Sequence, residues 1–402
     1  MRGKVGMTNQ NNTTAKKQSS FPIVAVFYGL ISLAYVLYSY TQIDLGLSIS
    51  SSGFVASIQR QFQEIGYFNR PVSTVLFISI LVSLFILYGF VLFASYRKQL
   101  RMRDFWICIG VISIITLVAY PALSYDFFNY LFTAKTVLVY HKNPYVVIPL
   151  QFAGVDPWLS FMHWTHLPSA YTPLWITSTF IPYIFGFGKL GLLIINLKLY
   201  ITLAYIATTI GIGKILSEKS EHASIVGMSI FALNPLVITE CLISPHNDIV
   251  MMALIVWAIV AFKKSRPWVS WLLFSLSVAM KLMTLALFPV FFLKWDKKIA
   301  VCCMILALGA VITQREVLSW YWIWVIPFVA LLPEYPSITM LSAGVSIGLL
   351  LRYVPFLYLG NWDAPAPTIK IWVTLVPILL SIIGTLLIEF KKKRLRPYVI
   401  RS

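Results

Sequence analysis

The sequence predicts an all-α protein, a polytopic transmembrane bundle of about twelve helices, on three observations. Of 402 residues, 59% are hydrophobic and only 11% charged, which leaves too little polar surface to keep a soluble fold of this size in water. The apolar residues run in stretches of helix length without the dyad alternation of lipid-facing strands. A β-barrel is therefore excluded along with any soluble enzyme fold. The excess of 32 Lys+Arg over 14 Asp+Glu, +18 in all, falls in short runs between those stretches, where basic residues are topology signals and not a nucleic-acid surface.

The chain opens on a polar segment, 1–20, with Arg2, Lys4, Lys16 and Lys17, read as a cytoplasmic tail. Phe21 to Ile43 follows without a small-x-small cleavage site, so it is a retained first transmembrane helix and not a signal peptide. Further spans are expected at Val72 to Ala94, Phe105 to Leu123, Gly191 to Gly213, Ala223 to Glu240, Ile249 to Phe262 and Trp268 to Met280. Leu282 to Leu293, Ile299 to Thr313, Leu318 to Leu332, Ser337 to Leu357 and Ile369 to Ile388 complete the set. Several fall short of the roughly 20 residues a lone span needs, which suits a bundle whose helices end at different depths. Residues 21–390 thus form one transmembrane domain, and Lys391-Lys392-Lys393-Arg394 opens a cytoplasmic basic tail over 391–402. Cys108, Cys241, Cys302 and Cys303 are too few and too badly placed for a disulfide framework and read as core thiols.

Lys and Arg also cluster at 97–103, at Lys263 to Arg266 and at Lys294 to Lys298. Placing every cluster inside puts both termini in the cytoplasm of a plasma-membrane protein. Asp44 to Pro71, Ser124 to Leu190, Cys241 to Asp248, Lys281, Gln314 to Val317 and Tyr358 to Thr368 then face outward. Tyr171 to Phe187 is apolar enough to cross, yet a crossing there would reverse Lys263 to Arg266. It is expected instead as an amphipathic or re-entrant helix at the outer face of the large loop 124–190, begun by Pro173 and kinked at Pro182. No internal repeat with paired broken helices is evident, which weighs against a transporter built of inverted halves.

Few polar residues are left to carry chemistry, and the outward segments hold them. Asp126 stands at the lip of the third span. It is either the N-cap of the next helix or a carboxylate whose pKa is raised by desolvation, as a general base requires. Ser244-Pro245-His246-Asn247-Asp248 forms a short turn after Asn234-Pro235-Leu236 and Glu240. Asn247 or Asp248 serves there as a cap, whereas capping leaves His246 unexplained and suited to bond near a reacting oxygen. Lys281 interrupts an apolar run, where it either snorkels or pairs with a lipid phosphate. Arg315 offers a planar fork to phosphate or pairs with Glu316, and the rings of Trp320-Tyr321-Trp322-Ile323-Trp324 suit an interfacial belt. A carboxylate, an imidazole and two cations on one face suit transfer of a group from a lipid-anchored phosphate.

At these residues the chain resembles the GT-C superfamily of polytopic glycosyltransferases, and within it the bacterial polyprenol-phosphate-mannose-dependent α-mannosyltransferases. The matches run in order over roughly residues 120–330: Tyr125-Asp126 with Tyr130, Asn143-Pro144-Tyr145, Tyr171-Thr172-Pro173-Leu174, Asn234-Pro235-Leu236, His246-Asn247-Asp248, Lys281, and Trp320-Tyr321 with Trp324 and Pro327. The resemblance implies a GT-C-like fold and Asp126 as the base. It also implies an outer cleft for the lipid phosphate of a polyprenyl-phosphate sugar, most simply mannose, and a glycolipid or glycan acceptor arriving from water. Donor-binding roles are expected of His246, Asn247, Asp248, Lys281, Arg315, Asn143, Tyr145, Tyr171, Trp320 and Tyr321. Where many relatives carry a second acid or an arginine after the loop aspartate, Phe127, Phe128 and Asn129 stand here. Direct inverting displacement without a metal or other cofactor is therefore expected. Membrane lipid is an implied partner and nucleic acid is not. The rival class is a secondary transporter or a lipid or polysaccharide flippase, with Asp126, Asp248 and Lys281 as relay groups near the midplane.

Overall fold

The computed structural model describes residues 21–399 as helices joined by loops, with no strand among the described residues. The polar segment 1–20 and the last three residues of the basic tail, 400–402, lie outside them. The chain enters through α1 (Phe21–Tyr40), forms a short amphipathic α2 (Gly53–Gln63) and continues as α3 (Arg70–Tyr96). Pro71 lies in the first turn of α3, where its missing N–H removes no helical bond. Next, α4 (Met102–Thr116) leads to α5 (Asp126–Leu138), which opens the large loop. There α6 (Pro173–Ser178) and α7 (Phe180–Ile184) are short turns, followed by α8 (Leu190–Ser217), α9 (Glu221–Ala232) and α10 (Pro235–Ile238). A hairpin of α11 (Asp248–Lys263) and α12 (Pro267–Met280) precedes α13 (Phe288–Phe292), α14 (Lys297–Ile312) and α15 (Ile326–Ala330). The chain closes with α16 (Pro336–Leu351), α17 (Val354–Leu359) and α18 (Ala366–Val399), so 391–399 of the basic tail continue the last helix.

The bundle is built from helices of very unequal length. Among the described residues, five stretches are long and apolar enough to cross a membrane alone: Pro22–Tyr40, Arg70–Tyr96, Leu190–Ser217, Pro336–Leu359 and Ala366–Phe390. A sixth is the pair Glu221–Ala232 and Pro235–Ile243, bent by 56°. The hydropathy count of about twelve is thus not reached by helix length alone, because apolarity over a window does not imply an unbroken helix. Leu282 to Leu293 is a 3₁₀ stretch followed by α13, and Leu318 to Leu332 is a 3₁₀ stretch (Ser319–Trp324) followed by α15. Tyr171 to Phe187, expected as one amphipathic or re-entrant helix, is two short helices. Thr172 caps α6 by accepting from Trp175 N at 3.4 Å, and the break lies at Thr179, ahead of Pro182.

Twelve of the sixteen residues of α11 are buried, and α11 packs against both α8 and α12. The break after α9 would orphan carbonyls in an apolar medium. Tyr88 OH donates to Ile230 O at 3.0 Å and Tyr205 OH to Ala232 O at 2.8 Å, while Asn234 Oδ1 accepts Leu236 N at 2.9 Å to start α10. Lys198, fully buried in α8, donates to Leu242 O at 2.8 Å and Ile243 O at 3.1 Å, tying the turn before α11 to the bundle. The two ends differ in charge. Lys263 pairs with Glu218 and Lys219 with Glu334 at 3.4 Å, so basic loops gather at one end of α11 while Asp248 starts its other end. The expectation of core thiols holds for Cys108 and Cys241 and fails for Cys302, which is exposed because α14 packs on one side only.

Candidate active site

At the end of the bundle away from the basic loops, a cavity of about 510 Å³ opens among α5, the loop after it, the start of α11, the end of α12 and residues 311–324. Seven of the residues expected at a site line it: Asp126, Tyr171, Asn247, Lys281, Arg315, Trp320 and Tyr321. They come from five separate stretches of chain. The remaining four, His246, Asp248, Asn143 and Tyr145, stand behind the walls.

Asp126 is the first residue of α5, and the sequence alternative of a cap is not what the side chain does. Tyr125 holds the cap position, and Oδ1 of Asp126 accepts from Tyr171 OH at a long 3.4 Å. Burial pushes its pKa up, and this outweighs the lowering from His246 and Lys281; Asp248 pushes the same way as burial. The sequence also carried a signal that was passed over. Asn129, Tyr130 and Thr133 follow Asp126 at helical spacings of three, four and seven, and all line the cavity from one face of α5. Tyr130 OH accepts from Asn247 N at 3.4 Å, and its ring meets those of Tyr171 at 4.8 Å and Trp175 at 4.9 Å, so one buried phenol joins three walls.

Two cations line the cavity with Asp126, in different states. Lys281 Nζ lies 2.7 Å from Asp248 Oδ1 and near the faces of Trp324 and Tyr321, at 5.4 and 5.8 Å. Asp248 is fully buried and also accepts from Trp324 Nε1, so the start of α11 neutralises the lysine. Asn247 stands at the cap position of α11 without a side-chain cap bond, leaving its amide at the cavity. Arg315 is exposed and, among the described residues, its guanidinium has no carboxylate partner. Glu316, its expected alternative partner, is taken by Arg352 and Lys370.

His246 does not reach the cavity. Its ring is wholly buried and lies flat against Trp320, centroids 3.9 Å apart and planes 15° apart. Nδ1 is 3.2 Å from Glu240 Oε2. Asn143 and Tyr145 brace the loop: Asn143 Oδ1 accepts Tyr145 N at 3.0 Å, and Tyr145 OH donates to Tyr171 O at 2.7 Å, fixing the backbone beside Asp126. Thr172 Oγ1 donates to Met280 O at 2.8 Å and brings the same loop against Lys281.

A clasp that the sequence did not suggest lies next to Asp126. Asp44 Oδ1 accepts from Tyr67 OH and Tyr125 OH, both at 3.0 Å, and Oδ2 lies 3.4 Å from His163 Nε2, whose ring stacks on Tyr125 at 3.5 Å. Burial would raise the pKa of Asp44, but the bonds from His163, Tyr67 and Tyr125 bring it below the ordinary carboxylate value. Gly66 is required here, since a Cβ would fall 1.8 Å from Thr41 O. The segment 41–71 is thus fastened to the loop that carries Met162 and Trp164 to the cavity.

Among the described residues, no three His, Cys, Asp or Glu side chains are grouped as metal ligands. Compared with known proteins, residues 30–297 match the model of the MptA/B family, described as "Alpha-(1->6)-mannopyranosyltransferase, N-terminal domain". No curated protein and no solved structure matches the chain. The matched stretch contains Asp126 and Lys281 and stops before Arg315, Trp320 and Tyr321.

Proposed function

Because the chain belongs to the MptA/B family of alpha-(1->6)-mannopyranosyltransferases, and is a mannosyltransferase of the membrane, we propose that it moves mannose from a polyprenyl-phosphate donor to a glycan or glycolipid hydroxyl. The observation that carries this reading is Asp126 held above ordinary carboxylate basicity at the wall of a cavity whose other side carries Lys281 and the unpaired Arg315.

The chemistry is a single displacement that inverts the anomeric carbon. Asp126 accepts the proton of the acceptor hydroxyl as that oxygen bonds to C1 of mannose. The bond from C1 to the phosphate oxygen breaks, and its electron pair leaves with the phosphate. The negative charge therefore passes from Asp126 to the leaving group, where Arg315 meets it with a free planar fork. Lys281, already paired with Asp248, contributes less net charge than Arg315, which makes the arginine the principal phosphate ligand. Trp320 and Tyr321 offer one sugar face a stacking wall, and Trp164, half exposed on the opposite rim, offers a second wall to an acceptor sugar. The family description favours a primary 6-hydroxyl as the nucleophile, the least hindered on a hexose. The reaction is proposed to need no metal, since Phe127, Phe128 and Asn129 follow Asp126 where a second acid would complete a carboxylate pair.

The test is to incubate the purified protein in detergent with polyprenyl-phosphate mannose and oligomannoside acceptors. Mannosyl transfer by the wild type and none by Asp126→Asn, with donor binding kept, is the expected result. Normal turnover by that variant overturns the assignment of the base. Uptake of lipid or glycan into liposomes without transfer would replace the reading with a transporter or flippase.

A further inference from the structure

We infer that Glu240 holds His246 as an imidazolium behind Trp320, so that the buried Glu240–His246 pair is a positioning element supplying the site's third positive charge. The role of that charge rests on the donor reading above, and the pairing itself does not. The geometry is specific. Glu240 Oε2 lies 3.2 Å from His246 Nδ1, which also meets the Glu240 carbonyl oxygen at 3.3 Å, and the other carboxylate oxygen, Oε1, accepts from Tyr353 OH at 2.9 Å. The main chain closes the same loop, His246 N donating to Glu240 O at 3.0 Å. Both side chains are without exposure, and Nε2 of His246 has no hydrogen-bond partner.

The charged groups that act on the imidazole from the elements packed against it are Glu240 before the turn, Asp126 at the start of α5 and Asp248 at the start of α11, all acids. Burial works against its protonation, and the bond and charge of Glu240 with the two aspartates outweigh it, turning its pKa up. A charge ledger gives the same answer. Asp126, Asp248 and Glu240 stand against Lys281 and Arg315, and an uncompensated buried carboxylate is strongly unfavourable. A protonated His246 balances the set. Stacked on the inner face of Trp320, it places a positive charge behind the wall that faces the departing phosphate. Glu240 lies too deep to touch a substrate, and acts only through His246.

The experiment uses the full chain in detergent with ¹⁵N-labelled histidine, the His246 signal being assigned by its loss in His246→Gln and folding checked by size exclusion. The wild-type imidazole should titrate above about 6.5, the ordinary histidine value. Glu240→Gln should lower that midpoint by about one pH unit or more. Tyr353→Phe should raise it, because Glu240 loses a competing donor and keeps more charge for the histidine. If Glu240→Gln does not fold, the sign of the Tyr353→Phe shift decides. A His246 that is neutral at pH 6 in the wild type, or midpoints unmoved in the variants, overturns the inference. In transfer assays kcat should fall on the alkaline side with the same midpoint, displaced in Glu240→Gln, while KM for the acceptor stays put. Moved midpoints without any mannosyl transfer would sink the donor reading and leave the pair standing. Transfer with immobile midpoints would sink the pair alone.

Discussion

Asp44 and Asp126 sit at the same end of the bundle, joined through Tyr125, and their surroundings act on them in opposite directions. Asp44 is held by two phenols and an imidazole, and its acidity is increased; Asp126 has one long bond from Tyr171, and its acidity is decreased. The difference separates a carboxylate that holds from the one proposed to react. A carboxylate saturated with donors fastens the segment 41–71 to the loop that lines the cavity. A carboxylate kept short of donors retains the basicity that proton abstraction needs.

The comparison can be broken most sharply at Asp126. Asp126→Asn should lower mannosyl transfer by about a thousandfold or more, the scale of a lost general base, while its thermal midpoint stays level or rises. The sign follows from linkage. A carboxyl whose folded pKa is raised binds its proton more tightly folded than unfolded, so above that interval the ionised group costs stability, and the amide removes the cost. Next in size, Arg315→Ala should raise the donor KM by about 10- to 100-fold, from the loss of a charge-assisted bond worth roughly 1.5–3 kcal/mol, with the acceptor KM little changed. Equal loss for both substrates would count against the phosphate role.

Asp44→Asn inverts the pattern. It should cost about 1–3 kcal/mol and lower the thermal midpoint by a few degrees, with kcat falling far less than in Asp126→Asn. Acid should separate the two groups in the wild type. Asp126 loses its charge at a pH above the ordinary carboxylate value of about 4, so transfer should fall there first. The stability that Asp44 contributes is complete above that value and is lost only as pH falls through its depressed pKa, so the fold should outlast the activity. A thermal midpoint that falls together with the rate would show that the two carboxylates are not separate in function. The smallest expected effect is that of EDTA, which should leave the rate within about twofold, well under the roughly 1.4 kcal/mol of a tenfold change.

How far these features were legible in the sequence follows the range of the forces involved. Apolar stretches of helix length and the placing of Lys and Arg are local, and they announced an α-helical membrane bundle whose basic loops share one end. The helix breaks at Asn234-Pro235 and within 282–293 were less visible, because a hydropathy window averages over a bend. Asp126 was legible because an acid at an apolar lip is rare. Of its cavity-lining neighbours on the same helix face, Tyr130 carried part of the resemblance, while Asn129 and Thr133 were equally legible by helical spacing and were overlooked. The Asp44 clasp and the Glu240–His246 pair join residues far apart in the chain or hidden in an apolar run, and only packing reveals them. For the same reason a single sequence places His246 at the cavity, whereas the fold places it behind a tryptophan.

The last helix touches mainly α16 and α17, and only 11% of its membrane window is buried, so it looks dispensable for packing. Its first turns nevertheless carry Lys370, which shares Glu316 with Arg352, and Thr374, which accepts from Arg352 at 3.2 Å. Glu316 is the immediate neighbour of Arg315. By occupying that acid, α18 insulates the arginine from the nearest group that could quench it, as a sheath keeps a live conductor from earthing. A chain shortened before Ala366 would keep every cavity-lining residue, yet its Glu316 would be one cation poorer and free to turn on the arginine beside it.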